Sequence, residues 1–235
     1  MIVMMKTLAS EIIVAVRLSV CVCQAQTPDA KFRLAQGYEQ AGNFESAVKL
    51  YEELLLKDPS NYVYFDSVRR MYLQLKKYDD AVALIQRRLV GAPADLTLRA
   101  ALASTYYKAG SEKDAYDEWE RAISTDAKNP SVYRLVAQSL LENRLLDKAA
   151  ELYRRARVAC SDPKLFTMDL AQLLATSMDY AGASAEFLSW LSQNPTQLPF
   201  VQGRMASYTN KEEGRTAAIE AVKTELKRNE DAKLY

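Results

Sequence analysis

Apolar residues recur along this chain at the spacing of amphipathic helices, and short polar segments separate one stretch from the next. In the first stretch Leu34, Ala35, Tyr38 and Ala41 lie three, four or seven residues apart, which places them on one helical face. The Gly-Asn pair at 42–43 then interrupts the pattern. The sequence therefore predicts a helix that ends just before this pair.

A second helix is predicted directly after the break. Its apolar face carries Ala47, Val48, Tyr51, Leu54 and Leu55. Pro59 ends it, because the residue before a proline is driven out of the helical region. Neither helix can bury its apolar stripe alone, so we expect the two to pair in antiparallel fashion and to stack on the next pair.

The whole pattern returns every 34 residues without insertion or deletion. Its marker is a regularly spaced alanine at Ala47, Ala81, Ala115, Ala149, Ala183 and Ala217. Four residues later comes a large apolar residue in five cases, namely Tyr51, Ile85, Trp119, Tyr153 and Phe187, whereas the last case is Ala221. The sequence thus predicts six repeats, at 28–61, 62–95, 96–129, 130–163, 164–197 and 198–231. The sixth is the most degenerate, since Arg204, Ala221 and Thr224 replace larger or apolar residues.

This combination of period, small residues, aromatic residues and terminal prolines resembles the tetratricopeptide repeat family. The resemblance covers residues 28 to 231 and implies an all-α fold, an α-α superhelix built as a solenoid of antiparallel helix pairs. Arg69 and Met205 depart from the family pattern at a position that is usually small. The recurring tyrosines and Trp119 are expected to pack between helices, since a side chain repeated every 34 residues is typical of a core.

In that family the first helix of each repeat lines a concave groove that holds a peptide or helix of a protein partner. The resemblance places eleven candidate binding residues in such a groove: Phe32, Gln36, Gln40, Arg70, Gln74, Ser104, Lys108, Arg134, Gln138, Met168 and Gln172. Asp66, Ala100, Glu142 and Thr176 are expected to line it as well. Glutamine amides can pair with an extended peptide backbone, and arginines can meet a carboxylate.

Chaperone-tail binders of the family hold a terminal carboxylate with a clamp of Lys, Asn and Arg spread over three repeats. The matching positions here are Phe32, Gln36, Ser67, Thr97 and Ala101. The clamp is absent, which disfavours the hypothesis of a cytosolic co-chaperone adaptor.

Composition argues against an enzyme. The chain has no histidine and only 7 glycines, so it has no imidazole for a catalytic relay or a zinc site and no glycine-rich phosphate loop. We therefore expect no cofactor, no metal and no small-molecule substrate. The net charge of +1 shows no clustered basic excess, which argues against nucleic acid as a partner. Cys160 has no second cysteine near it in the folded part, and we expect it to pack near a helix end.

Residues 1–25 resemble a secretory signal: Lys6 precedes an apolar stretch from Leu8 to Cys23, with cleavage predicted after Ala25. Glu11 and Arg17 interrupt that stretch. We therefore predict a protein of the bacterial cell envelope that is periplasmic or secreted after cleavage of the leader. If the leader does not function, we expect the protein to be cytoplasmic. Cys21 also lies in a sequence close to a lipobox, so membrane attachment is expected only if that cysteine is lipidated.

The last residues, Ala232 to Tyr235, match the opening of a seventh repeat, and we expect the chain to be part of a longer protein. Two functions remain open from the sequence. The first is a non-enzymatic scaffold that binds proteins through its groove. The alternative is an N-terminal regulatory or substrate-recruiting module of a longer protein with a downstream catalytic or anchoring domain.

Overall fold

The structure, a computed structural model, describes residues 27 to 232, with side chains to residue 228. The predicted leader, with Cys21, and residues 233–235 lie outside the described residues. Within them the secondary structure is entirely helical, so the all-α class is confirmed. The chain divides into two compact units, an N-terminal unit that ends at Gly91 and a C-terminal unit that begins at Ala92.

Each unit is built from consecutive helical hairpins. The N-terminal unit contains α1 (Pro28–Gln40), α2 (Phe44–Lys57), α3 (Tyr62–Gln74) and α4 (Tyr78–Gly91). The C-terminal unit contains α5 (Leu96–Lys108), α6 (Glu112–Thr125), α7 (Pro130–Glu142), α8 (Leu146–Ala159), α9 (Thr167–Thr176), α10 (Tyr180–Gln193), α11 (Leu198–Thr209) and α12 (Glu212–Ala232), with a 3-10 turn at Pro195–Gln197. None of these described helices is both long and apolar enough to span a membrane.

Four first helices start 34 residues apart because a capping residue recurs at that interval. Thr27, Asn61, Asp95 and Asn129 each accept a hydrogen bond from a backbone N–H two or three residues ahead, at 3.0 to 3.2 Å. Such a side chain satisfies a donor that has no partner inside the helix. Repeat five has Pro163 at this position, which cannot cap in this way, and α9 begins only at Thr167, after Phe166 in the left-handed region.

The turn after each first helix also repeats. Gly42, Lys76, Gly110, Arg144 and Met178 have φ of 75°, 56°, 84°, 60° and 63°. A residue in the left-handed region just past a helix end lets the following N–H groups bond back to the last carbonyls. The Gly-Asn break predicted at 42–43 is therefore one of five equivalent left-handed turns.

Helices within each hairpin cross at the marker alanines. Ala47, Ala81, Ala115, Ala149 and Ala183 are fully buried, and the large residues four positions later are also buried. Ala217 is only half-buried. In repeat six the close approach moves to Gly214, where an added Cβ would lie 2.3 Å from the Tyr208 carbonyl oxygen. The sixth repeat thus uses a different crossing residue from the other five.

The predicted stripe of α1 is only partly buried. Ala35 is buried, but the exposed fraction is 53% for Leu34 and 37% for Tyr38, and Ala41 is exposed too. At the repeat position of Leu34, the later repeats bury Val68, Leu102, Val136 and Leu170. The prediction was wrong for this face of α1 because no earlier helix of the described chain covers it.

Candidate functional site

The first helices of the C-terminal unit carry a connected row of polar side chains, which we call the polar surface: Arg134, Gln138, Asp169, Gln172 and Arg204. Arg134 Nη2 lies 3.8 Å from Asp169 Oδ2, which links α7 to α9. Arg204 Nη1 donates to Gln172 Oε1 at 3.4 Å, which links α9 to α11. Gln138 follows Arg134 by one turn of α7, so the row continues along that helix.

This surface offers donors of two kinds to a partner. The Arg134 side chain is 65% exposed, and its guanidinium carbon lies 5.2 Å from the centre of the Phe166 ring. The ring orients the guanidinium, and a long, weak ion pair with Asp169 leaves N–H groups for another carboxylate. Gln138 and Gln172 are exposed, and Gln138 donates to Glu142 at 3.3 Å. Amide groups of this kind can pair with the backbone of an extended peptide.

Three predicted residues of this unit, outside the polar surface, are at least partly buried by neighbouring helices. Ala100 is buried, and Met168 is half-buried against the core. The Ser104 hydroxyl lies 2.8 Å from Ser139 Oγ and accepts from Asn143 Nδ2 at 2.9 Å. These side chains lie in contacts between helices. The sequence pattern places them on the groove, but the neighbouring helix covers them. Lys108 and Thr176 are exposed.

In the N-terminal unit the predicted arginine already has acidic partners. Arg70 binds the carboxylate of Glu39, and its Nε lies 3.3 Å from Asp66 Oδ2. Partial burial alone would lower the pKa of Arg70, but the hydrogen bond and charge of Glu39 outweigh it and raise that pKa. Glu39 also accepts from the Tyr51 hydroxyl at 2.8 Å. The charge of Arg70 is therefore balanced inside the protein.

Phe32, also predicted to line a groove, is half-buried and packs against the core of this unit. Its ring centre lies 5.5 Å from that of Tyr51 and 5.6 Å from that of Tyr64. Gln36, Gln40 and Gln74 are exposed. The Phe32 ring is half-buried against α2 and α3, so only part of it is left for a partner, and its role in a groove stays a prediction.

Two members of the polar surface, Asp169 and Arg204, were missed at the level of the sequence. Arg204 had a detectable signal, since it occupies the repeat position that holds Leu34, Val68, Leu102, Val136 and Leu170 in the other repeats. Asp169 had none, because a single acidic residue on a helix is ordinarily a solvated one.

Comparison with known proteins identifies the repeats. A tetratricopeptide repeat model matches residues 28–61, and a second tetratricopeptide repeat model matches residues 100–164. Tetratricopeptide repeat protein 8 of Caenorhabditis elegans is 23% identical over 164 residues, which are 69% of this chain and 32% of that relative. The chain is a tetratricopeptide repeat protein. It spans about a third of the length of this relative.

Similar solved structures include other tetratricopeptide repeat proteins. A thermophilic one from Thermus thermophilus is 18% identical, with a TM-score of 0.42 over 77% of this chain and 98% of that one. MamA 41-end from Desulfovibrio magneticus RS-1 is 16% identical, with a TM-score of 0.40 over 57% of this chain and 75% of that one. The family assignment rests on the sequence matches and on the 34-residue register of the helices.

Proposed function

We propose that this tetratricopeptide repeat protein is a non-enzymatic scaffold that binds a protein partner through the polar surface of its C-terminal unit. Repeats of this kind are typically scaffolds for protein-protein interaction. The observation that carries the proposal is the link from Arg134 to Asp169 and from Gln172 to Arg204. Together these contacts place exposed donors and acceptors on three consecutive first helices.

The chemistry of this surface suits an extended peptide with an acidic side chain. Arg134 would bind the carboxylate, while Gln138 and Gln172 would pair with backbone groups on either side. Because most of these side chains are exposed, each contact contributes modestly and affinity comes from their sum.

Affinity capture tests this proposal with the full chain as bait. We expect the triple variant Arg134→Glu, Gln138→Ala, Gln172→Ala to lose partners that the wild-type chain recovers. A control variant, Arg154→Glu, changes an exposed arginine on the second helix of repeat four and should retain them. Equal recovery by the triple variant would remove the polar surface from partner binding.

We propose further that the protein is exported to the bacterial cell envelope by residues 1–25. The support is the signal-like order of Lys6, the apolar stretch and Ala25. Amino-terminal sequencing of the protein from fractionated cells tests it. A chain that begins at Gln26 in the periplasmic fraction supports export, and an intact Met1 in the cytoplasm contradicts it.

A second candidate function is a recruiting module within a longer protein. The observation that favours it is the apolar face of α12, where Ile219, Val222 and Leu226 are 48%, 40% and 58% exposed. A face of this kind is what another helix or domain would cover. An open reading frame that continues beyond Tyr235 into a catalytic or anchoring domain would favour this function, and a stop codon there would exclude it.

A further inference from the structure

Two clefts occupy the same place in the repeat, one in each unit. The first lies over α3, between α2 and α4, with a volume of about 810 Å³. The second lies over α7, between α6 and α8, with a volume of about 220 Å³. They are built from equivalent positions two repeats apart, so the difference in volume comes from individual side chains.

The second cleft is narrowed by its own residues. Arg155 bridges it and donates to both carboxylate oxygens of Glu120, at 2.6 and 2.9 Å. The rings of Tyr116 and Trp119, with centres 5.5 Å apart, fill part of the space from α6. Aromatic rings thus occupy part of this cleft, and a bidentate ion pair neutralises the charges at its edge.

The first cleft lacks both of these features. Ala83 stands where the second cleft has Glu151, and Val48, which is buried in the core and does not line the first cleft, stands where the second has Tyr116. Tyr51, at the repeat position of Trp119, instead packs on Phe32. Aromatic rings therefore do not fill the first cleft from α2 as they fill the second cleft from α6.

The ion pair is also missing from the first cleft. Glu52, the counterpart of Glu120, accepts from the Tyr72 hydroxyl. Arg87, the counterpart of Arg155, is exposed, and no carboxylate of the described residues forms an ion pair with it. The cleft therefore presents a guanidinium without the acidic partner that its counterpart has.

We propose that the first cleft binds an amphipathic helix of a protein partner, whose large apolar side chains fill the cleft and whose carboxylate meets Arg87. Leu55, Val68 and Leu84 provide an apolar floor. The volume lies within the range of about 300–1,000 Å³ typical of ligand pockets. Lys49 and Asp80 are exposed at the rim and add charges of both signs. A peptide with several charged side chains matches such a rim, whereas a single-headed amphiphile satisfies only Arg87.

The chain itself supplies a chemically matched probe. The segment Glu112–Thr125 presents Tyr116, Trp119, Glu120 and Ile123 at i, i+3, i+4 and i+7, which combines apolar anchors with one carboxylate. A fluorescein-labelled synthetic peptide of this sequence is titrated with the full chain, and its anisotropy is followed. We expect saturable binding. Arg87→Glu and Ala83→Trp should each weaken it by about tenfold or more.

Two variants serve as controls. Ala83 is exposed, so the tryptophan occupies the cleft without entering the core, and an unchanged circular dichroism spectrum verifies the fold. Arg154→Glu changes an exposed arginine of the C-terminal unit and should leave the affinity for the peptide unchanged. Arg134→Glu changes the polar surface and shows whether the peptide binds there instead.

Four outcomes would overturn the proposal. The first is that the peptide shows no saturable binding up to about 1 mM, and the second is that neither cleft variant changes its affinity. The third is that Arg134→Glu, and not a cleft variant, abolishes binding. The fourth is that dodecanoate binds in an Arg87-dependent way while the peptide does not bind. The last would assign the cleft to a single-headed amphiphile, and the third would assign the peptide to the polar surface.

Discussion

The indole N–H of Trp119 donates to Ser139 Oγ at 2.9 Å and so joins the second helix of repeat three to the first helix of repeat four. Both residues are buried. Ser139 in turn donates to the carbonyl of Ala100 at 3.2 Å, on α5. One hydroxyl therefore connects three helices of the C-terminal unit.

Replacing this hydroxyl should destabilise the C-terminal unit. In Ser139→Ala the Trp119 indole N–H loses its acceptor in a buried place, which costs about 1–3 kcal/mol in the free energy of unfolding. Urea denaturation followed by tryptophan fluorescence measures it. Ser131→Ala, at an exposed position of the same helix, should leave the midpoint unchanged. Equal midpoints for the two variants would mean that water or another group replaces the bond.

A second prediction concerns the crossing of α11 and α12. In Gly214→Ala the new methyl group would lie 2.3 Å from the Tyr208 carbonyl oxygen, and the resulting overpacking should cost about 1–3 kcal/mol. Gly203→Ala is the matched control, since an added Cβ there meets nothing within 4 Å. It should stabilise α11 by about 0.5–1 kcal/mol. Thermal midpoints of the two variants should therefore move in opposite directions. A shift in the same direction would contradict the close approach of α11 and α12 at Gly214.

A third prediction uses the left-handed turns. Met178 has φ of 63° and is 69% exposed, so its side chain loses little packing when removed. Met178→Gly should raise the free energy of unfolding by about 1 kcal/mol, because glycine adopts this conformation without steric cost. Gly110→Ala, at the equivalent turn with φ of 84°, should lower it by a similar amount. Chemical denaturation checks both, and a destabilised Met178→Gly would show that its side chain matters more than its backbone.

The fourth prediction concerns stability at high pH. Burial, with the hydrogen bond and charge of Glu39, raises the pKa of Tyr51 above its ordinary value of 10.0, and burial with Glu52 raises the pKa of Tyr72 likewise. The folded state holds these protons more tightly than the unfolded chain. Their contribution to stability is thus complete below pH 10 and is lost as the pH rises through the raised pKa values.

The free energy of unfolding should consequently fall between about pH 10 and about pH 11, by about 1.4 kcal/mol per pH unit for each such tyrosine. Tyr51→Phe removes one ionisable group and should make this decline shallower. Urea denaturation at each pH gives the slopes. The same slope in wild type and Tyr51→Phe would contradict a raised pKa at this tyrosine.

Local signals made much of the fold predictable. The Gly-Asn break at 42–43 and Pro59 are backbone effects, and they end helices in the structure where the sequence indicates. The marker alanines were equally readable, since only a small side chain fits where two helices cross closely. The first helix of repeat five starts later than the period predicts, because Pro163 replaces the capping side chain. The proline is visible in the sequence, but the strict 34-residue period led to a prediction without this shift.

The binding surface was less predictable, because the exposure of a side chain on a first helix depends on which residues of the neighbouring helices pack beside it. Ser104 and Gln138 occupy equivalent positions on first helices, yet Ser104 bonds to Ser139 while Gln138 stays exposed. Arg70 likewise has its charge balanced by Glu39, from the preceding first helix. No spacing along the chain reports such a neighbour.

The sequence by itself determined the period, the helical class and the crossing residues of the first five repeats, since these follow from backbone propensity and from the size of side chains at a fixed interval. Only the tertiary structure decided which polar groups are already satisfied. Glu120 and Arg155 narrow one cleft, whereas Glu52 turns to Tyr72 and leaves Arg87 exposed beside an open cleft. The physical reason is that an ion pair depends on distances across neighbouring helices, and the volume of a few side chains between them sets those distances.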